Sequence, residues 1–298
     1  MSQEVEVAAG SPTVRRRRLA AELRRLRGNQ TGGMVAKALG WSPAKISRYE
    51  LGQGGFPPNE IKKLLDYYDV TEPRRTQLLG LAADANARGW WEDFAPEAIS
   101  PDFTESIGLE AEADSVAQWE IESVPGLFQT PEYAWHIMDA IQGVMPTPPT
   151  VIEQRVRVRM IRQRVLTERE PPLKLSVVLD ESALLRQVGG PGVMREQLTR
   201  MAELAELPNV DLRVLPLRKA CSLVDCSFVV FGFGSLPEGG RILGDVVSTE
   251  SVASGELHVE GEMDTYTYRL LFKALANASL PVAETRHLIL RAADSWRD

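Results

Sequence analysis

The sequence predicts an α + α/β protein in which a small bundle of about five helices precedes a larger mixed α/β domain. In the first ninety or so residues, apolar side chains recur at the three- and four-residue spacing of helices. Further on, helical patterns alternate with short segments rich in β-branched and aromatic residues, which favour strands. We therefore predict a disordered tail at 1–12, a helical domain at 13–88 and an α/β domain at 89–298.

Two short helices of the predicted bundle form a hairpin. Thr31 can cap a helix that runs to Leu39, and Gly40 is suited to end it. Ser42 can cap the next helix, with Pro43 at the first helical position, where its missing N–H costs nothing. Two such helices joined by a Gly-containing turn are typical of a helix-turn-helix, whose second helix lies in the major groove of DNA. A chance amphipathic hairpin is the alternative.

The second helix of this hairpin has a polar, cationic outer face. Ile46 and Tyr49 are three residues apart and can face the core. The side chains left to face outward belong to Ala44, Lys45, Ser47 and Arg48. We expect Lys45 and Arg48 to dominate contacts with bases or phosphates, whereas Pro43 offers only apolar contact.

This segment resembles the lambda-repressor-like, Xre-type helix-turn-helix regulators. The shared residues are Leu23, Arg24, Thr31, Ala36, Leu39, Gly40, Trp41, Ser42, Ile46, Ser47, Arg48, Glu50 and Gly52. The resemblance implies base-reading side chains at Pro43, Ala44, Lys45, Ser47 and Arg48. It also implies that Glu50 pairs with Arg24 or Arg27 and orients helices. Gly32 and Gly33 depart from the family's usual Gln-Glu, which removes a phosphate-contacting Gln.

Charge is concentrated in the same region. Between residues 13 and 75, fourteen Lys or Arg stand against six acids, a local net charge of +8, whereas the whole chain carries −7. A DNA phosphate interacts mainly with the charges close to it, because salt screens interactions over roughly 8 Å. The predicted DNA-binding set therefore also includes Thr31, Lys37, Arg15 and Arg16. For the arginine run that begins at Arg15, a solvated basic helix face is an equally good interpretation.

The remainder resembles the large C-terminal domain of unassigned function that follows such a helix-turn-helix in many actinomycete regulators. The shared segments are GWW at 89–91, GLEAEA at 108–113, VPGLFQTPEYA at 124–134, RQ at 162–163, LDESALLRQVGG at 179–190, Met194, QL at 197–198 and NVDLRVLP at 209–216. The resemblance implies a transcriptional regulator, often encoded beside a small acidic partner protein in an antitoxin-like arrangement.

Within this domain the elements are predicted from local patterns. The segment 110–139 looks helical apart from the break at 124–134. Strands are predicted at 173–180, 210–216, 227–233 and 241–247, and further helices at 151–166, 193–207, 264–278 and 281–296. The many arginines of the helix at 151–166 could form a second nucleic-acid surface, but we favour pairing within this acidic domain.

Aromatic residues could line a ligand pocket or an interface, although core packing is their more common role. The candidates are Trp90, Trp91, Trp119, Phe128, Tyr133 and Trp135. Asp180 and Glu181 at a strand end are the best argument for an enzyme, but no nucleophile elbow, phosphate loop or metal-ligand spacing accompanies them. We expect no catalytic residues, metal or cofactor. Cys221 and Cys226 could form a redox-sensitive disulfide or be two ordinary thiols.

The expected protein is a cytoplasmic, sequence-specific transcription factor. The sequence has neither a run of about eighteen apolar residues nor an apolar signal segment. Helix-turn-helix modules usually read two half-sites, so we expect a homodimer on double-stranded DNA, controlled through its second domain by a ligand or a small partner. The alternatives are an antitoxin-like module that sequesters a protein and binds DNA secondarily, or an enzyme fused to a DNA-binding domain.

Overall fold

A computed structural model describes residues 12–95, 97–140, 142–143, 145–219, 224, 226–234, 244–251 and 255–297. It divides into two compact units, one ending at Glu92 and one beginning at Asp93. The predicted fold class is confirmed, since a helical region precedes a domain of helices and a mixed six-stranded sheet. The predicted tail, apart from Pro12, and Cys221 lie outside the described residues.

The first unit is a bundle of five α-helices. They are α1 (Pro12–Arg27), α2 (Gly32–Leu39), α3 (Pro43–Glu50), α4 (Pro58–Tyr67) and α5 (Arg74–Ala85), followed by a 3₁₀ turn at Trp90–Asp93. Leu19, Leu23, Ile46 and Ile61 meet in one apolar core. Helix α1 packs on both α3 and α5, so it is the element that joins the hairpin to the rest of the bundle.

The loop after α3 is held by side-chain hydrogen bonds. Phe56 is fully buried and stacks on Tyr49, with ring centroids 5.6 Å apart. The Asn86 amide accepts a hydrogen bond from the Phe56 N–H at 2.8 Å and donates one to the Phe56 carbonyl at 2.7 Å. Asn86 thus satisfies both backbone groups of a residue that belongs to no helix or strand, and it anchors the end of α3 to α5.

The second unit contains seven helices and six strands among its described residues. The helices are α6 (Pro101–Glu112), α7 (Pro131–Asp139), α8 (Pro149–Arg162), α9 (Ser182–Leu185), α10 (Pro191–Leu204), α11 (Glu262–Ala278) and α12 (Val282–Ser295). The strands are β1 (Ser115–Glu120), β2 (Lys174–Asp180), β3 (Val210–Leu215), β4 (Phe228–Gly232), β5 (Val246–Ser251) and β6 (Gly255–Val259). Among the described helices, none combines the length with the apolar composition that a membrane span requires.

The sheet has the order β3-β2-β1-β4-β5-β6. β1, β2 and β3 run parallel, because helical crossovers connect them, and β4, β5 and β6 continue the sheet in antiparallel fashion. α11 covers one face, where Trp119, Val178, Phe228 and Val230 pack against Leu275. At the outer edge of β3, Leu280, which precedes α12, donates its N–H to Val214 O at 2.9 Å, and Val214 N donates to Thr285 Oγ1 of α12 at 3.0 Å.

The prediction of helix through 110–139 was wrong at its centre. Residues 115–120 form β1, which pairs with β2 on one side and with β4 on the other. Val116 and Trp119 are its two buried residues, and their three-residue spacing imitates the face of a helix. The pairing with strands far away in sequence overrides this local pattern.

The predicted fourth strand was misplaced. Only Val246 and Val247 of the predicted segment 241–247 belong to β5, which continues to Ser251; residues 241–243 lie outside the described residues. β6 was not predicted at all. Its sequence begins with Gly255 and it pairs only with β5, so little apolar patterning marks it.

Candidate nucleic-acid interface

The hairpin of α2 and α3 has the predicted local geometry. Thr31 Oγ1 accepts a hydrogen bond from Met34 N at 3.2 Å, and Ser42 Oγ accepts one from Lys45 N at 3.3 Å. Gly40 ends α2 with φ 68°, a left-handed conformation that favours glycine. The predicted caps and turn are therefore confirmed, and they fix the direction in which α3 leaves the turn.

The side chains of α3 divide as predicted between core and surface. Ile46 and Tyr49 are buried. The exposed residues at the start and middle of the helix are Ser42, Pro43, Ala44, Ser47 and Arg48. Arg48 makes no ion pair with any residue that the structure describes, so its guanidinium can bind an external acceptor without breaking an internal contact.

Unlike the other predicted base-reading residues, Lys45 contacts side chains within the bundle. Its Nζ is 2.6 Å from Glu60 Oε1, and it lies over the Trp41 ring, 4.5 Å from the centroid. Tyr49 OH also donates to Glu60. Partial burial would raise the pKa of Glu60, but hydrogen bonds from Lys45 and Tyr49 hold it below its ordinary value. Lys45 therefore ties α3 to α4, which leaves Arg48 as the exposed cation of α3.

Glu50 pairs with the first helix, as the resemblance implied. Arg27 donates two hydrogen bonds to the Glu50 carboxylate, from Nε to Oε1 at 2.6 Å and from Nη2 to Oε2 at 3.1 Å. Arg24 Nη2 donates to the Glu50 backbone carbonyl at 2.9 Å. Both predicted partners thus act on the same residue. The bidentate pair fixes the angle between α1 and α3.

Arg15 and Arg16 point to α5. Arg16 Nε donates to Ala85 O at 2.8 Å, and Arg15 Nη1 is 3.5 Å from a carboxylate oxygen of Asp84. The structure therefore does not bring these side chains together with the exposed face of α3. Their contacts hold α1 against α5, a role that the sequence did not indicate because Asp84 and Ala85 lie about seventy residues away.

Thr31 and Lys37 lie on the helix that precedes the turn. Both are exposed, and Lys37 forms no ion pair within the described chain. The Thr31 hydroxyl oxygen is used in the cap of α2. The first turns of α2 and α3 contain no acidic residue. The hairpin thus presents Lys37, Arg48 and helix starts without negative charge, which suits a phosphate backbone.

The arginines of α8 pair within their own unit, which confirms the interpretation we favoured. Arg162 and Glu110 form a bidentate pair, and Arg159 donates to Gln129 Oε1. Arg155 donates to Glu97 O at 3.1 Å. These contacts cross from α8 to other parts of the unit, so this helix stabilises the fold with its charges.

Most of the candidate aromatic residues are buried. Phe128 and Tyr133 are fully buried, Trp119 lies in the core beneath α11, and Trp91 packs edge-on against Trp90 at 5.7 Å. Trp90 and Trp135 are half-buried. Trp135 lines an open groove of about 310 Å³ between α7 and α8, together with Pro131, Glu132, His136, Glu153 and Val156.

Asp180 and Glu181 stand at the carboxyl end of β2, where an α/β sheet can place a site. Both carboxylates accept backbone hydrogen bonds. Asp180 Oδ1 accepts from Ser182 N, and Glu181 Oε2 accepts from Leu217 N, each at 2.9 Å. These contacts shape the turn into α9 and the chain that follows β3.

Glu120, at the end of β1, is a carboxyl group whose surroundings strongly change its pKa. Burial raises its pKa to about 7, against hydrogen bonds from Gln118 and Ser227 that lower it. Because the folded state holds this proton more tightly than the unfolded state, stability should fall as pH rises from about 4.5 to about 7.

We expect Glu120→Gln to remove this part of the pH dependence. Between pH 5 and pH 8, the free energy of unfolding of the wild type should drop by up to about 3 kcal/mol more than that of the variant. Urea unfolding at both pH values measures the difference. Glu122→Gln, an exposed neighbour, is the matched control. Parallel pH curves for wild type and Glu120→Gln would contradict the assignment.

Comparison with known families divides the chain in the same way. A family model described as "Helix-turn-helix domain" matches residues 18–78, which include α2 and α3. A family model described as "Domain of unknown function (DUF5753)" matches residues 103–291, which include all six strands. No curated protein and no solved structure matches the chain.

Proposed function

The chain belongs to the DUF5753 family, and from this membership and its helix-turn-helix domain we propose that it is a sequence-specific transcriptional regulator that binds double-stranded DNA. The observation that carries the proposal is the outer face of α3. Its start is capped, its apolar residues are buried, and Arg48 is exposed without an ion pair among the described residues. This is the arrangement by which a recognition helix reads base edges in the major groove.

The proposal assigns different roles to the exposed residues. Arg48 and Ser47 read bases, Pro43 and Ala44 provide apolar contact, and Lys37 binds a phosphate. Lys45 supports α3 from within through Glu60. Selection of bound duplexes from a random library by the full-length protein tests the proposal. We expect one enriched motif and salt-sensitive binding; no salt-sensitive binding to any duplex would overturn it.

Lys37→Ala should weaken binding to all duplexes by a similar factor. If Lys37 contacts one phosphate, the slope of log K against log salt should become shallower by about one unit, while the preferred sequence stays the same. Fluorescence anisotropy at several salt concentrations measures the slope. Arg195→Ala, an exposed arginine of α10, is the control and should leave the slope unchanged. A changed sequence preference in Lys37→Ala would contradict a phosphate-contact role.

The finer assignment follows from the shared sequence motifs. We place the regulator in the Xre type and in an actinomycete, acting by binding rather than by catalysis. Its second unit controls DNA binding in response to a ligand or a small acidic partner protein, and two copies act together on paired half-sites. The confirmed Glu50–Arg27 pair supports the Xre type, because the resemblance implied this contact.

A further inference from the structure

An apolar stripe runs along the outer side of α11. Met263, Tyr266 and Leu270 recur at helical spacing and are 76%, 56% and 49% exposed. Leu257 of β6 is exposed as well, and its register with Thr249 and Phe228 places it on the sheet face that α11 covers. Nine large hydrophobic side chains are exposed among the described residues, and four of them belong to β6 and α11.

The opposite side of α11 packs against the hydrophobic core. Leu275 is buried against the sheet, and Tyr268, Leu271 and Phe272 pack beside it. Within the described part of the chain, the stripe itself has no covering element. Exposed apolar side chains grouped on one side of a helix are typical of an interaction site, because their burial is favourable and their exposure promotes association.

Charges on one flank of the stripe are arranged in a self-complementary way. Glu262 and Lys273 are eleven residues apart, so they lie within about 20° of each other around the helix and about 16 Å apart along it. Both are exposed, and neither forms an ion pair with a described residue. When a helix meets its own copy in antiparallel orientation about a two-fold axis, the same flank of each helix meets, and Glu262 then faces Lys273 of the other copy.

We propose that α11 is the interface through which two copies of this chain form a symmetric dimer. The two-fold axis crosses the stripe at the level of positions 267 and 268 along the helix, midway between Glu262 and Lys273. The same axis brings Tyr266 against Leu270 of the second copy, so apolar and charged contacts are satisfied by one geometry. This inference rests on the proposed function, in which two helix-turn-helix units read paired half-sites.

The mass of the full-length protein in solution, measured by light scattering without DNA, tests the interface. The wild type should have twice the 33.0 kDa mass of the chain. Leu270→Asp should be monomeric at the same concentration, because it would place a carboxylate in the dimer contact. Leu217→Asp, at a leucine that is 57% exposed, is the matched control and should stay dimeric. A monomeric wild type, or a dimeric Leu270→Asp protein, would overturn the proposal.

Charge reversal gives an independent readout that does not depend on the apolar contact. Glu262→Lys alone should raise the dimer dissociation constant at least about tenfold, because Lys273 of the second copy would face a like charge. The double variant Glu262→Lys with Lys273→Glu should return it to within about threefold of the wild type. A double variant as weak as the single one would show that the two residues do not meet.

Binding to a duplex with a single half-site separates this inference from the proposed function. Leu270→Asp should bind one half-site as tightly as the wild type and lose only the cooperative gain on paired half-sites. If the wild type is dimeric through α11 but binds no duplex, the regulatory function fails and the interface stands. If DNA binding is intact but the wild type is a monomer, the interface fails and the function stands.

Discussion

Arg162→Ala is expected to lower the free energy of unfolding of the second unit by about 3–5 kcal/mol, because it would leave a buried carboxylate without its partner. Arg162 binds Glu110 through Nε–Oε1 at 2.9 Å and Nη2–Oε2 at 2.7 Å. The two side chains are only 14% and 6% exposed. The guanidinium also lies 4.9 Å from the centroid of the Phe103 ring, so the substitution removes a cation–π contact as well.

Urea unfolding of the full-length protein, followed by a spectroscopic signal that reports on the second unit, measures this loss of unfolding free energy. Arg200→Ala is the control, because it breaks the surface pair with Glu203 and should cost less than about 1 kcal/mol. Replacing Glu110 and Arg162 together by leucine should recover much of the stability, since no unpaired charge remains. A loss from Arg162→Ala no larger than that from Arg200→Ala would show that Glu110 is not held by this pair.

The helix-turn-helix could be predicted closely because its determinants are local. Thr31, Gly40, Ser42 and Pro43 act on backbone groups within a few residues, so their identity and spacing already define the caps and the turn. The orientation of α3 follows in the same way from Ile46 and Tyr49. The partner of Glu50 required the resemblance, because its contact with Arg27 spans 23 residues.

The features that could not be predicted from the sequence depend on contacts between segments that are far apart in the chain. The ion pair with Glu60 draws the Lys45 side chain away from the exposed face of α3. No local sequence pattern around either residue predicts this pair. β1 is a strand because β2 and β4 pair with it, against a spacing of Val116 and Trp119 that favours helix. Composition also cannot show which arginines stay exposed and which contact other parts of the protein. Arg16 and Arg48 differ only in what the fold places beside them.

Arg48→Ala is expected to reduce the preference for one base position in each half-site by about 10- to 100-fold. A bidentate arginine–guanine contact contributes about 1–3 kcal/mol of discrimination against the wrong base, and alanine provides no hydrogen bond. Because Arg48 forms no ion pair within the residues described, its removal breaks no such contact, and the stability of the bundle should change little.

The matched variant Arg48→Lys distinguishes base reading from charge. Lysine keeps the positive charge but cannot form the planar two-pronged contact, so it should retain most of the affinity for random duplex and lose much of the discrimination. Competition binding with the selected operator and with each single-base variant measures the preference at every position, and Arg195→Ala should leave the profile unchanged. If Arg48→Ala weakened operator and random duplex equally, Arg48 would be a phosphate contact, and base reading would have to come from Ser47 and the apolar start of α3.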